Sequence, residues 1–401
     1  MKDSVQISKL SGLEVVRAMA ALTVVAGHIV YYEFVAVPTW IKMLSAFATE
    51  AVIIFFVLSG LVISRSVQRN TPGAIRFLSQ RLVRIYPIYF FSIVLAIIAS
   101  FVFFSKNESV SVTIGNLLFL QDLGGYIVPP LATNQPLWSL SYELAYYAIF
   151  ALTIWQTSII RIFWVAAILG ALAVSLKMPT GVYGHFAGIF SLALPWLFGN
   201  WIARNVERCH NVSVALGVCL LIIGLTFARS PFTENFYDPF RLCAFGLLSS
   251  PLILALARPA DQIERVDLPI RPIAFAIGAS LLWEISPALF VTKFTLTMAA
   301  AVAAFVPLKL VETILLRISF FKQAFVYVGS ISYAIYAIHV PILFLLKPIT
   351  PDIAIVRLTL YFSTVFLISH LLERCLQPAI ASRFSFIGEN DHVENHKPKE
   401  A

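Results

Sequence analysis

Arg17 and His28 stand eleven residues apart in LEVVRAMAALTVVAGH, the first apolar segment of the chain. On a helix that spacing returns to within about 20° of one direction and separates the two side chains by about 16 Å along the axis. Glu14 falls within about 40° of the same face. One helix thus presents an acid, a guanidinium and an imidazole on one side. Charged groups inside a membrane span cost a few kcal/mol, so they normally face a protein interior or an aqueous cavity and mark function. Histidine is the usual general base near neutral pH, and an activated hydroxyl needs such a base within hydrogen-bonding reach. A histidine that only bonds a neighbouring helix is the equal alternative.

Three further groups carry chemistry. Arg65, Arg69, Arg76, Arg81 and Arg84 read as one cytoplasmic loop between the second and third spans, with Arg81 and Arg84 on one helical face of RLVRIYP. Their planar forks suit phosphate, as in a nucleotide-bearing cofactor. Anionic lipid headgroups are the competing partner for such a loop. In PLWSLSYELAYY, Ser139 and Glu143 are four residues apart and share a face. That carboxylate suits orienting an imidazole or binding sugar hydroxyls, while the aromatics around it also read as an interfacial belt. In GSISYAIYAIH, Ser332, Tyr336 and His339 form a polar stripe on an apolar helix with Tyr333 beside it, lining a cavity or joining two helices. Pro341 should bend that helix near its outer end.

The elements that must position these groups are membrane helices. Of 401 residues 59% are hydrophobic and only 12% charged, against roughly 25% charged in soluble domains. Mean hydropathy is +0.85. Apolar runs near 20 residues fit a ~30 Å hydrocarbon core, and continuous rather than alternating apolarity excludes an outer-membrane barrel. The runs fall at 13–31, 45–64, 85–104, 137–155, 162–176, 187–203, 211–228, 239–257, 272–290, 294–310, 325–346 and 353–373. The expected fold is an all-α polytopic transmembrane bundle of about 10–12 spans.

Arginine and lysine crowd one side of this arrangement, which sets both termini in the cytoplasm. The net charge of +8 therefore reads as topology, with no nucleic acid needed. The first apolar segment reads as a retained helix rather than a signal peptide. The longest outer connection, 105–136, carries turn formers and an apolar centre that suits folding partly back into the membrane. Residues 1–386 are expected to form one membrane domain and 387–401 a disordered tail. The four cysteines show neither a disulfide framework nor metal spacing, so no metal is expected.

Taken in order, these segments resemble membrane acyltransferase family 3, integral membrane O-acyltransferases of bacterial surface polysaccharides. The matching residues are Arg17 and His28; Phe55, Phe56, Ser59 and Gly60; Arg81, Arg84, Ile85 and Pro87; Pro136 to Glu143; and Gly329, Ser332, Tyr333, Tyr336 and His339. The family's acidic-plus-proline ending is altered here, Glu373 being followed by proline only at Pro378. The resemblance implies a multi-pass protein of the bacterial inner membrane that takes acyl-CoA, most often acetyl-CoA, from the cytoplasm. It implies a carbohydrate hydroxyl as acceptor, on the outer side or on a lipid-linked intermediate. Arg17, Arg81 and Arg84 would hold the CoA phosphates. His28 would deprotonate the acceptor or take the acyl group itself, with Glu143 as orienting partner. The rival reading is a secondary transporter or sugar flippase, in which Arg17 and His28 form a relay; the inverted repeats common in transporters are not evident.

Overall fold

A computed structural model describes residues 2–38, 42, 47–105, 108–177, 181–209, 212, 214–227, 238–257 and 319–384. The expected spans 272–290 and 294–310 and the tail 387–401 lie outside them. The regular structure of the described residues is helical, with no β-strand among them and a single isolated bridge between Gln121 and Val128. Among the described residues seven helices are long and apolar enough to cross a membrane, or eight if one broken pair is a single span. The all-α polytopic bundle is therefore observed.

Two compact units divide the chain: Met1–Arg69, Asp122–Ile127 and Trp164–Tyr333 in the first, Asn70–Gln121, Val128–Phe163 and Ala334–Ala401 in the second. The first contains α1 (Lys2–Tyr31), α2 (Ala48–Asn70) and most of α6 (Ile159–Ser175). It also contains α7 (Gly181–Ser191), α8 (Ala193–Asn205), α9 (Val214–Phe227), α10 (Pro239–Leu256) and α11 (Ser319–Ser330). The second contains α3 (Ala74–Phe104), α4 (Val110–Leu117), α5 (Trp138–Trp155), most of α12 (Ser332–Leu346), α13 (Ala354–Leu371) and α14 (Gln377–Phe384). A π-helical turn, Leu372–Leu376, joins the last two.

In the first unit small residues let backbones touch. A Cβ added at Gly60 would overlap the Trp196 carbonyl, and one at Gly199 the Val57 carbonyl. This is the small-residue packing that membrane helices use where lipid gives no hydrophobic drive to associate. Trp196 Nε1 donates to Ser59 Oγ at 3.3 Å and Asn200 donates to Ser64 across the same crossing. Gly329 of α11 plays the same part against the Glu14 carbonyl of α1.

The second unit buries a polar connection. Tyr89 stacks on Phe119, donates to the Asn116 carbonyl at 2.6 Å and accepts from Gln121 Nε2 at 2.8 Å. Gln121 Nε2 also reaches the Leu137 carbonyl at 2.9 Å. Irregular backbone near a membrane is tolerated only where protein satisfies it, and these side chains do so.

The structure corrects two expectations. Arg65 and Arg69 lie within α2, and Arg76, Arg81 and Arg84 within α3, so only Thr71–Gly73 separates the two helices and there is no arginine loop. Helix α3 has 31 residues, about 46 Å at 1.5 Å per residue, longer than a ~30 Å core. Its basic end extends beyond the apolar run that reveals it in the sequence. The run 325–346 is broken: Ile331 donates to Val328 in a tight turn, and the Ser330 hydroxyl occupies the Tyr327 carbonyl at 2.7 Å. The run 187–203 lies within a single span, Gly181–Asn205, in which α7 and α8 meet at Leu192.

Candidate active site

His28 lies in the last turn of α1. Its Nδ1 is 2.9 Å from the Val24 carbonyl. A carbonyl only accepts, so Nδ1 carries the proton and Nε2 of the neutral ring is the basic nitrogen. Tyr32 stacks on the imidazole at 5.9 Å and meets Tyr31 edge-on. Helix α1 supplies the imidazole and fixes its tautomer, and the turn that follows it supplies the stacking ring, through local spacing alone. Toward the other end, Arg17 pairs with Glu14 at 2.9 Å, the two side chains 27% and 20% exposed. Glu14 and Arg17 meet on adjoining turns of α1, and the carboxylate already engages the guanidinium.

The first unit also holds a buried pair with no counterpart among the sequence candidates. Asp122, fully buried, accepts from His185 Nδ1 at 2.7 Å and from the Tyr126 amide at 3.3 Å. Gly184 leaves room for the Tyr126 ring beside it. The pair fastens the Asp122–Ile127 segment onto α7. A histidine in GVYGHFAG and an aspartate in QDLGGY carry no mutual spacing signal, so only the fold unites them.

In the second unit the guanidinium of Arg81 sits over the Phe77 ring, 5.5 Å from its centroid. Phe77 in turn meets Tyr147 and Phe150 edge-on. Tyr147 donates to Glu143, and both act electrostatically on Arg81. Glu143 therefore has a hydroxyl donor and a cation near it within its own unit. Arg84 pairs with Glu373 at 2.7 Å; the carboxylate is 4% exposed and the arginine side chain 41%. Glu373, placed only by an incomplete family ending, turns out to contact the second arginine directly.

The polar stripe of α12 joins helices. The hydroxyls of Tyr336 and Ser139 are 2.6 Å apart, and both reach the Pro136 carbonyl, at 2.8 and 3.2 Å. His339 Nδ1 is 2.7 Å from the Tyr336 carbonyl, so it donates to its own helix, and Tyr361 donates to the His339 carbonyl at 3.1 Å. Ser332 and Tyr333 fall in the other unit. Among the described residues no group of three or more His, Cys, Asp or Glu is placed to hold a metal ion.

A family model for an acyltransferase domain matches residues 10–275. A curated relative, Acyltransferase MdmB of Streptomyces mycarofaciens, is 29% identical over 273 residues, covering 65% of this chain and 65% of the relative. The chain thus spans slightly under two thirds of that relative's length. No solved structure matches. The family match covers more than half of the chain and includes Arg17, His28, the Ser59–Gly60 crossing, Arg81, Arg84 and Glu143; on that ground the chain belongs to acyltransferase family 3.

Proposed function

We propose that this chain is an integral membrane O-acyltransferase that moves an acyl group, acetyl foremost, from cytoplasmic acyl-CoA to a hydroxyl of a surface carbohydrate or lipid-linked sugar. The observation that carries the reading is His28, an imidazole near one end of a membrane span whose Nδ1 is committed to the Val24 carbonyl, leaving Nε2 as the base. In that tautomer Nε2 is the nitrogen able to accept a proton, as a general base must. Family membership supplies the reaction class. The reading includes a bacterial inner-membrane location, both termini in the cytoplasm, and residues 1–386 acting as one domain.

In this mechanism Nε2 of His28 removes the proton from the acceptor hydroxyl as its oxygen attacks the thioester carbonyl. The C–S bond breaks, and the departing thiolate recovers the proton from the imidazolium. Arg81 and Arg84 bind the donor's phosphates. Phe77 fixes Arg81 from below, and Glu143 with Tyr147 balances its charge. Arg17, already paired with Glu14, contributes a further cation to the donor's path.

Incubating purified protein with radiolabelled acetyl-CoA tests the assignment. Thiol release together with a labelled acceptor supports it. Binding of acetyl-CoA without either, alongside transport of a sugar-containing substrate in vesicles, would replace it with the flippase reading.

A further inference from the structure

Two residues of the C-terminal helical segment hold two adjacent residues of α3. Glu373 Oε2 lies 2.7 Å from Arg84 Nη1. One turn on, Gln377 Nε2 donates to the Val83 carbonyl at 3.1 Å. That carbonyl is available for a specific reason: its helical donor would be the N–H of residue 87, and residue 87 is proline, which has none. The π-helical turn Leu372–Leu376 carries Glu373, and Gln377 follows it directly. Such single-turn insertions frequently occur at functional sites.

The pair is unequal in a way that points to use. Glu373 is nearly sealed, and its Oε1 is buried without a hydrogen bond to a described residue. The Arg84 side chain keeps 41% of its surface outward. A carboxylate that served only stability would be expected to satisfy both oxygens, because a buried acceptor left unsatisfied is destabilising. A guanidinium has five N–H donors in a rigid fork, so one end can be held while the remainder binds a phosphate.

We propose that Glu373, with Gln377 bracing the backbone, is a positioning residue that orients the Arg84 fork toward a phosphate of the acyl donor. The inference rests on Arg84 being a phosphate ligand and extends that reading to a residue that touches no substrate. Fixing the fork in advance removes rotamer entropy that binding would otherwise have to overcome.

The test compares acetyl-CoA with S-acetylpantetheine, which carries the same thioester arm and no phosphate. The readout is the ratio of kcat/KM for the two donors, measured on purified full-length protein. Arg84→Gln must lower this ratio; an unchanged ratio overturns the phosphate assignment and the inference with it. Given that loss, Glu373→Gln is expected to lower the ratio about tenfold, the size of one misdirected charge-assisted hydrogen bond. Glu373→Asp is expected to fall between the two, and it decides the matter alone if Glu373→Gln does not fold. In an Arg84→Lys background, which keeps the charge without the fork, Glu373→Gln should have no further effect. A ratio unchanged in Glu373→Gln overturns the positioning role while sparing Arg84. A ratio that rises shows the carboxylate competing with phosphate and overturns it equally.

Discussion

Gln377 Nε2 lies 3.1 Å from the Val83 carbonyl, the acceptor that Pro87 deprives of its helical partner. The same device recurs in α12, where Pro341 frees the Ala337 carbonyl and the buried Asn134 side chain takes it at 2.9 Å. A proline in a membrane helix is tolerated where a neighbouring group re-satisfies the released carbonyl. Both prolines here are matched by an amide from a distant part of the chain.

This arrangement makes the cost of losing Gln377 conditional on Pro87. Gln377→Ala should lower stability by about 1–3 kcal/mol, the cost of a buried unpaired acceptor. In a Pro87→Ala background the restored N–H should remove most of that cost. Thermal unfolding of the four proteins in detergent measures the cycle, and equal costs in both backgrounds would refute the assignment.

The α2/α8 crossing predicts strict intolerance of side chains. Gly60→Ala and Gly199→Ala each drive a methyl group into a carbonyl of the facing helix. Overpacking of this kind costs about 1–3 kcal/mol. Both variants should lose thermal stability in detergent, and a pair of fully stable variants would contradict the close approach.

The Ser139–Tyr336 pair is assigned a structural role. Tyr336→Phe should cost about 0.6–1.7 kcal/mol, the range of interhelical hydrogen bonds in membranes, and leave the KM for acetyl-CoA unchanged. A large fall in kcat with unaltered stability would instead place the stripe in the reaction.

Removing one member of the buried His185–Asp122 pair should be more costly than removing both. Asp122→Ala leaves the His185 Nδ1 donor without its partner in a site where the imidazole is 5% exposed, a loss of about 1–3 kcal/mol. Adding His185→Leu to it should recover part of that loss. Unfolding midpoints of the single and double variants decide it.

Some of this was legible in the sequence. The Glu14–Arg17 contact follows from two residues three apart on a helix. The membrane class follows from composition, whereas the α2/α8 crossing of Ser59 and Gly60 with Trp196, Gly199 and Asn200 is fixed only by tertiary packing. Hydropathy assigns the arginines of α2 and α3 to a loop because it marks only where a helix is apolar, whereas the helix continues through ends where arginine stems snorkel. His185 and Asp122 are 63 residues apart, Asn134 and Ala337 203. Such pairings arise from tertiary packing and leave no periodic trace. The break at Ile331 was hidden for a different reason: Ser330 and Ser332 are ordinary helix residues by propensity, and only the Ser330 hydroxyl on the Tyr327 carbonyl marks the interruption.

The central claim is that Nε2 of His28 is the base for acyl transfer. The most direct measurement is acetyl transfer from radiolabelled acetyl-CoA by the wild type and by His28→Gln, purified in parallel with matched unfolding midpoints. His28→Gln should lose about 10²–10⁴-fold in kcat while the KM for acetyl-CoA changes little. Undiminished kcat in a folded His28→Gln protein would contradict it.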